Sequence, residues 1–212
     1  MSLFVVINCA MSADGKIALP SRKQTQISNE EDMKRVHELR NECDAILVGI
    51  GTILSDNPKL TVKEKYVLNP KQPVRIVLDS KGRIPKNAEV LSQDSHTIVA
   101  VTEQAEHEIE GAEMIICGKE RIDLSLLLSI LDKRGIKKLL VEGGETVIWS
   151  FLKEKLADEL YIFVGSMVIG GTKSPTPAGG EGSKYEDDII GLNLKKIEKL
   201  GDGVLLHYGV EK

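Results

Sequence analysis

The chain has 212 residues, 42% of them hydrophobic and 28% charged, with a formal net charge of -4. That mixture suits a globular protein with a core of its own, and the slightly acidic balance offers no basic footprint for nucleic acid. No apolar run approaches the roughly 20 residues that cross a bilayer, and the first apolar run has no charged leader, so a cytoplasmic protein acting on small molecules is expected.

Leu3 to Ala10 reads as a buried strand, followed by an exposed turn at Asp14-Gly15. Ser28 and Glu31 have capping-box spacing, and Met33, Val36, His37, Leu39 and Arg40 follow at helical intervals, with an end between Arg40 and Glu42. Ala45 to Val48 is a second strand. It runs into "GIGTILSDNPKLTV", where Gly49 and Gly51 loosen the backbone and Asp56-Asn57-Pro58 forces a turn. Val74 to Leu78, Thr97 to Val101 and Ala112 to Cys117 are further strands. Asp123 caps a helix carrying Leu124, Leu127, Leu128 and Leu131, which Gly135 stops before a strand beginning at Lys138.

That strand ends in Glu142-Gly143-Gly144, and helical spacing resumes from Glu145 through Ile148, Phe151 and Leu152. Adjacent glycines leave N–H groups uncovered at the positive end of a helix, which makes a cradle for phosphate. A tight turn with no ligand has the same residues. After Asp158 come strands at Leu160 to Val164, Leu194 to Leu200 and Val204 to Val210, the last two joined through the hairpin signal Asp202-Gly203. The Gly/Pro/Ser-rich stretch from Gly170 to Tyr185 is of a length that more often serves function or motion than architecture.

Alternating strands and helices predict a single α/β domain over residues 1–212, with a mostly parallel central sheet flanked by helices and a C-terminal antiparallel hairpin. Ligands of such sheets collect outside the carboxyl ends of the strands. "GIGTIL" supplies two glycines of a dinucleotide fingerprint but has Leu54 at the third. Ser80, Lys81 and Arg83 can hold the 2′-phosphate of NADP, or form a solvated turn. Asp56 and Glu142 are a candidate carboxylate pair in a chain where 32 acidic residues also allow chance pairing. Arg40 and Lys63 are candidate cations for a substrate phosphate, or solvated side chains. Cys9, Cys43 and Cys117 are odd in number and far apart, and the four histidines are scattered, so buried free thiols and no metal site are expected. The sequence contains neither a nucleophile elbow nor a zinc-deaminase signature.

Together, "NCAMSADGKIA", "ISNEEDMKRVHELRNECDAILVGIGTILSDNPKLTV", "PVRIVLDS" and "LLVEGG" resemble the reductase family of riboflavin biosynthesis over nearly the whole chain. With no deaminase half before it, the sequence is similar to the stand-alone archaeal type. The resemblance implies a dihydrofolate-reductase-like fold and a homodimer. It also implies reduction of 2,5-diamino-6-ribosylamino-4(3H)-pyrimidinone 5′-phosphate by NADPH, or NADH, to the ribitylamino product. Carried over by position, Thr52 and Asp56 match cofactor contacts, Gly143, Gly144, Glu145 and Thr146 match the diphosphate cradle, and Ser80 lies near the adenosine ribose. Arg40, Leu60 and Glu142 match substrate contacts, with Asp56 and Glu142 the catalytic candidates. Lys63 stands where bacterial members have arginine on the substrate phosphate, and Gln26 where they have tryptophan. The alternatives are a dihydrofolate reductase, a reductase of the deaminated pyrimidine, and a non-catalytic nucleotide-binding assembly protein.

Overall fold

A computed structural model describes residues 3–23 and 25–212. Its elements in chain order are β1 (Phe4–Ser12), α1 (Glu30–Glu42), β2 (Ala45–Gly49), α2 (Ile50–Asp56), β3 (Val74–Leu78), β4 (Thr97–Val101), β5 (Glu113–Ile116), α3 (Leu124–Lys133), β6 (Lys138–Gly143), α4 (Glu145–Lys153), β7 (Glu159–Gly165), β8 (Leu192–Leu200) and β9 (Gly203–Val210). The strands hydrogen-bond in the order β5-β4-β3-β2-β6-β1-β7-β9-β8. The chain divides into two compact units, Met1–Phe4 with His37–Leu140, and Val5–Val36 with Val141–Lys212.

In the first unit β2, β3, β4 and β5 run parallel, with Leu47 opposite Ile76, Ile76 opposite Ile98 and Ala100 opposite Ile115. Every residue of β2 and β4 is buried, as expected of parallel strands covered on both faces. Asp44 fastens the start of this layer, its Oδ2 accepting the Lys137 and Lys138 N–H groups at 2.9 and 3.0 Å. The Asp123 cap forms as expected, its Oδ1 accepting the Leu126 N–H at 2.8 Å, and Gly135 (φ 87°) ends α3 in the left-handed region. Leu127 and Leu131 are fully buried, each contributing about 1.5–3 kcal/mol of burial energy. Arg75 is also fully buried, and neutral groups hold it: its guanidinium donates to the Ser92 hydroxyl at 3.1 Å and to the Ser92 and Ser95 carbonyls. Burial lowers its pKa.

The expected loop after β2 is instead the helix α2. Gly49 stays extended as its N-cap (φ -83°, ψ 157°), and Asn57 closes it in the left-handed region, its N–H donating to the Ile53 carbonyl at 3.0 Å. Gly51 is therefore inside a helix, and the turn forced by Asn57-Pro58 is a helix stop.

In the second unit β1 and β7 are parallel, with Ile7 opposite Leu160 and Ala10 opposite Phe163, while β9 runs antiparallel to both β7 and β8. The hairpin turn sits one residue earlier than expected, at Gly201 (φ 63°) and Asp202, with Gly203 already in β9. A Cβ on Gly203 would lie 2.3 Å from Phe163 Cζ, which is why that strand position is glycine. The cap of α1 also moves by one residue: Asn29, not Ser28, accepts the Asp32 N–H, at 2.9 Å. Its amide donates in turn to Leu200 O and Asp202 Oδ1, tying the helix start to the hairpin. Buried Asp32 pairs with Arg35 at 2.7 Å, and Arg35 donates to Asn8 Oδ1 at 2.8 Å. Cys43 and Cys117 are buried and Cys9 half-buried, none in a disulfide. Burial pushes the Cys9 thiol up to about 12, so it stays protonated and is no nucleophile at neutral pH.

Candidate active site

The candidate residues fall into two sets, one in each unit. In the first unit, Thr52 and Asp56 lie one turn apart on α2, both half-buried. The Asp56 Oδ1 is buried and accepts no hydrogen bond among the described residues. Buried acceptors are normally satisfied, and this carboxylate also stands at the carbonyl end of its helix, where negative charge is disfavoured. Both features mark an acceptor kept for something other than the fold. Leu60 follows in the left-handed region (φ 54°) with its side chain buried. Arg40 Nη1 donates to the Thr61 carbonyl at 3.1 Å, so α1 brings Arg40 and the Leu60–Lys63 segment together. The Lys63 side chain is exposed.

At the carboxyl end of β3 the backbone turns back at once, with the Gly82 N–H donating to Asp79 O at 3.1 Å. Ser80 is half-buried, its carbonyl accepting from the Thr102 N–H and hydroxyl at 3.1 and 2.7 Å. Lys81 is exposed. Arg83 is engaged within the turn, its Nε 3.5 Å from Oδ1 of buried Asp79, while Asp79 Oδ2 accepts the Ile84 N–H at 2.8 Å. A cofactor phosphate at Arg83 therefore competes with Asp79.

In the second unit β6 carries half-buried Glu142 into Gly143 and Gly144. Gly144 is the N-cap of α4 at φ 83° and ψ 127°, a conformation that side-chain-bearing residues avoid, and it brings no side chain to cap the helix. The first turn of α4 thus lacks a side-chain cap, the local arrangement that a phosphate cradle uses. Glu145 would oppose such an anion but is paired: Arg22 Nη2 lies 2.7 Å from its Oε1. Its carbonyl accepts the Gly179 N–H at 3.2 Å, which seats the 170–185 stretch beside the helix start, and Thr146 is exposed next to it. A depression of about 460 Å³ lined by Trp149, Lys153, Asp187 and Asp188 lies toward the other end of α4 and holds none of the candidate residues.

Asp14, read from sequence only as a turn residue, fastens the beginning of the same stretch. Its carboxylate accepts the Ser12 hydroxyl at 2.6 Å and the Ile169 and Gly170 N–H groups at 3.0 and 2.7 Å. These bonds, the Ser12 hydroxyl foremost, hold its pKa near 2 against an ordinary 3.8. A carboxylate lowered in this way stabilises the fold above its unfolded pKa and loses that effect as pH falls through the folded value. Melting curves of wild type and Asp14→Ala are thus expected to differ at neutral pH and to converge between about pH 3.8 and about pH 2. Curves that keep their separation down to the lower limit count against the clamp. Arg22 and Asp14 were missed as site residues because each acts across more than 120 positions of chain, and no local motif announces either.

Among the described residues no group of three or more His, Cys, Asp or Glu side chains is placed to hold a metal, and no helix is long and apolar enough to cross a membrane. A mostly parallel sheet closed by an antiparallel hairpin is the dihydrofolate-reductase-like fold, and the relatives that share it here are reductases, a class whose reactions call for a nicotinamide cofactor. The dihydrofolate reductase of Enterococcus faecalis, complexed with NADP(H), has the same fold at a TM-score of 0.56 and 12% identity, each chain covered in full.

More narrowly, the chain belongs to the family described as the RibD C-terminal domain, which matches residues 3–206. It is 41% identical over 216 aligned positions to the 2,5-diamino-6-ribosylamino-4(3H)-pyrimidinone 5′-phosphate reductase of Methanothermobacter thermautotrophicus, covering 100% of both chains. The deaminase/5-amino-6-(5-phosphoribosylamino)uracil reductase of Thermotoga maritima superposes with a TM-score of 0.82 at 27% identity, over 99% of this chain and 57% of that one. The homologues are reductases of riboflavin biosynthesis, in agreement with the resemblance read from the sequence.

Proposed function

We propose that residues 1–212 form one cytoplasmic reductase domain that converts 2,5-diamino-6-ribosylamino-4(3H)-pyrimidinone 5′-phosphate to its ribitylamino product, using NADPH or NADH. The end-to-end match, at 41% identity, to a protein of that name carries the reading. When bound, the nicotinamide supplies a hydride. Gly143, Gly144, Glu145 and Thr146 are assigned to the diphosphate, Thr52 and Asp56 to the nicotinamide half, and Ser80, Lys81 and Arg83 to the adenosine ribose and its 2′-phosphate. Arg40 and Lys63 hold the substrate phosphate, and Leu60 and Glu142 the pyrimidine side. Opening of the ribosylamine ring leaves an imine that is more reactive when protonated. The carboxylates of Asp56 and Glu142 favour that cation by charge.

The deaminated pyrimidine is the second reading, supported by the name of the Thermotoga maritima protein. Cofactor oxidation by the purified protein, followed at the nicotinamide band, separates the substrates. The diamino compound is expected to be turned over fastest and dihydrofolate not at all. Faster oxidation with the deaminated compound moves the assignment to the second reading; turnover of dihydrofolate alone, or of nothing, removes both.

We also infer a homodimer built on the C-terminal hairpin, because Leu192, Leu194 and Ile197 of β8 and Val204 of β9 are exposed apolar side chains. Light scattering is expected to give twice the chain mass, and Ile197→Lys the single mass. A monomeric wild type rejects this assembly.

A further inference from the structure

The Leu60–Lys63 segment belongs to no helix or strand, yet side chains hold its backbone at consecutive residues. Arg40 bonds the Thr61 carbonyl, as above. Val62 is clasped on both sides by one side chain: its N–H donates to Gln72 Oε1 at 2.9 Å, and Gln72 Nε2 donates to its carbonyl at 2.9 Å. The Lys63 N–H donates to His37 Nδ1 at 3.2 Å. A primary amide offers the same donor and acceptor pair as a peptide group, so Gln72 does for Val62 what a neighbouring strand would do. His37, fully buried and one turn before Arg40 on α1, cannot swing away, because its ring stacks on Tyr66 with centroids 4.6 Å apart. The Tyr66 and Val67 N–H groups then return to the Lys63 carbonyl at 3.0 and 3.3 Å, closing a turn immediately beyond it.

A lysine ammonium is a point charge on a flexible stem, so where it can reach depends on where its backbone is fixed. We infer that His37 and Gln72 are positioning residues, which fix the backbone of Val62 and Lys63 and so aim the Lys63 ammonium at the 5′-phosphate of the substrate. This rests on the substrate reading above. In this role both act through Lys63.

The test compares kcat/KM for the pyrimidine riboside with and without its 5′-phosphate. Wild type is expected to prefer the phosphorylated compound strongly, and Lys63→Ala to lose most of that preference. His37→Phe keeps a ring on Tyr66 but has no acceptor, and Gln72→Met keeps the volume but has no amide. Each is expected to cut the preference about tenfold through KM, with kcat within about twofold. His37→Asn, whose side-chain oxygen can stand near the place of Nδ1, should retain more of the preference than His37→Phe. Adding either substitution to Lys63→Ala should change the preference by no more than about twofold, since a residue that acts through Lys63 has nothing left to position. An unchanged preference in both single variants, or full additivity with Lys63→Ala, overturns the inference and leaves the substrate assignment standing. A wild type that reduces neither compound overturns the substrate assignment and this inference with it.

Discussion

Asp56→Asn is expected to lower kcat by about 10²–10³-fold, the range found for loss of one preorganised electrostatic contact, while changing the dissociation constant of NADPH by no more than about threefold. The same substitution should leave the protein as stable as wild type or more stable. Asp56 is the last residue of α2, at the negative end of the helix dipole, and its buried Oδ1 accepts no hydrogen bond among the described residues. Removing a charge from such a place gains about 0.3–1 kcal/mol if the dipole term alone is relieved. A residue that costs stability and contributes to turnover shows the trade-off typical of active sites. Thermal melting and single-turnover kinetics on the same preparation separate the effects. A variant with normal turnover removes Asp56 from the chemistry, and one that melts well below wild type shows that its carboxylate belongs to the fold.

The cost that identifies Asp56 could not be read from the sequence, because it depends on α2, and α2 did not look like a helix. Seven residues give too little length for a 3.6-residue period to show, only Ile50 and Ile53 are buried, and the glycines at 49 and 51 argue for a loop. By contrast β3 and β4 were legible to the residue, because each is a short, largely apolar and β-branched run with sharp ends, which the buried Arg75 of β3 interrupts without ending. Asp123 and Gly135 were legible for a related reason: capping chemistry is local and its signals lie within a few residues. Where two good caps were adjacent, local rules could not rank them. Asn29 displaces Ser28 because its amide also reaches Leu200 and Asp202, some 170 positions along the chain. The pairing of Arg22 with Glu145, 123 positions apart, is of this same non-local kind, and the clasp of Gln72 on Val62 spans 10 positions with no helical or hairpin period to announce it. Candidate ligand contacts could therefore be carried over from a family resemblance, whereas the contacts that hold their backbone had to be found in the structure.

Gly144→Ala makes the sharpest test of the cofactor cradle. At φ 83° and ψ 127° a Cβ forces the chain out of its preferred conformations, at a cost of about 1–3 kcal/mol, so the melting temperature should fall by several degrees. If that were all, saturating NADPH would still raise the melting temperature of the variant as much as that of wild type. The cradle reading requires more. Relief of the strain tilts the first turn of α4 and displaces the N–H groups that face the diphosphate, so the stabilisation by NADPH is expected to fall by at least about 1.4 kcal/mol, a tenfold loss of affinity. Gly51→Ala is the matched control, since Gly51 lies within α2 at an ordinary backbone angle and a Cβ there meets nothing within 4 Å. It should stabilise the protein by about 0.5–1 kcal/mol through helix propensity and leave NADPH binding unchanged. Equal NADPH stabilisation of Gly144→Ala and wild type places the diphosphate elsewhere, and the functional role given to the two glycines goes with it.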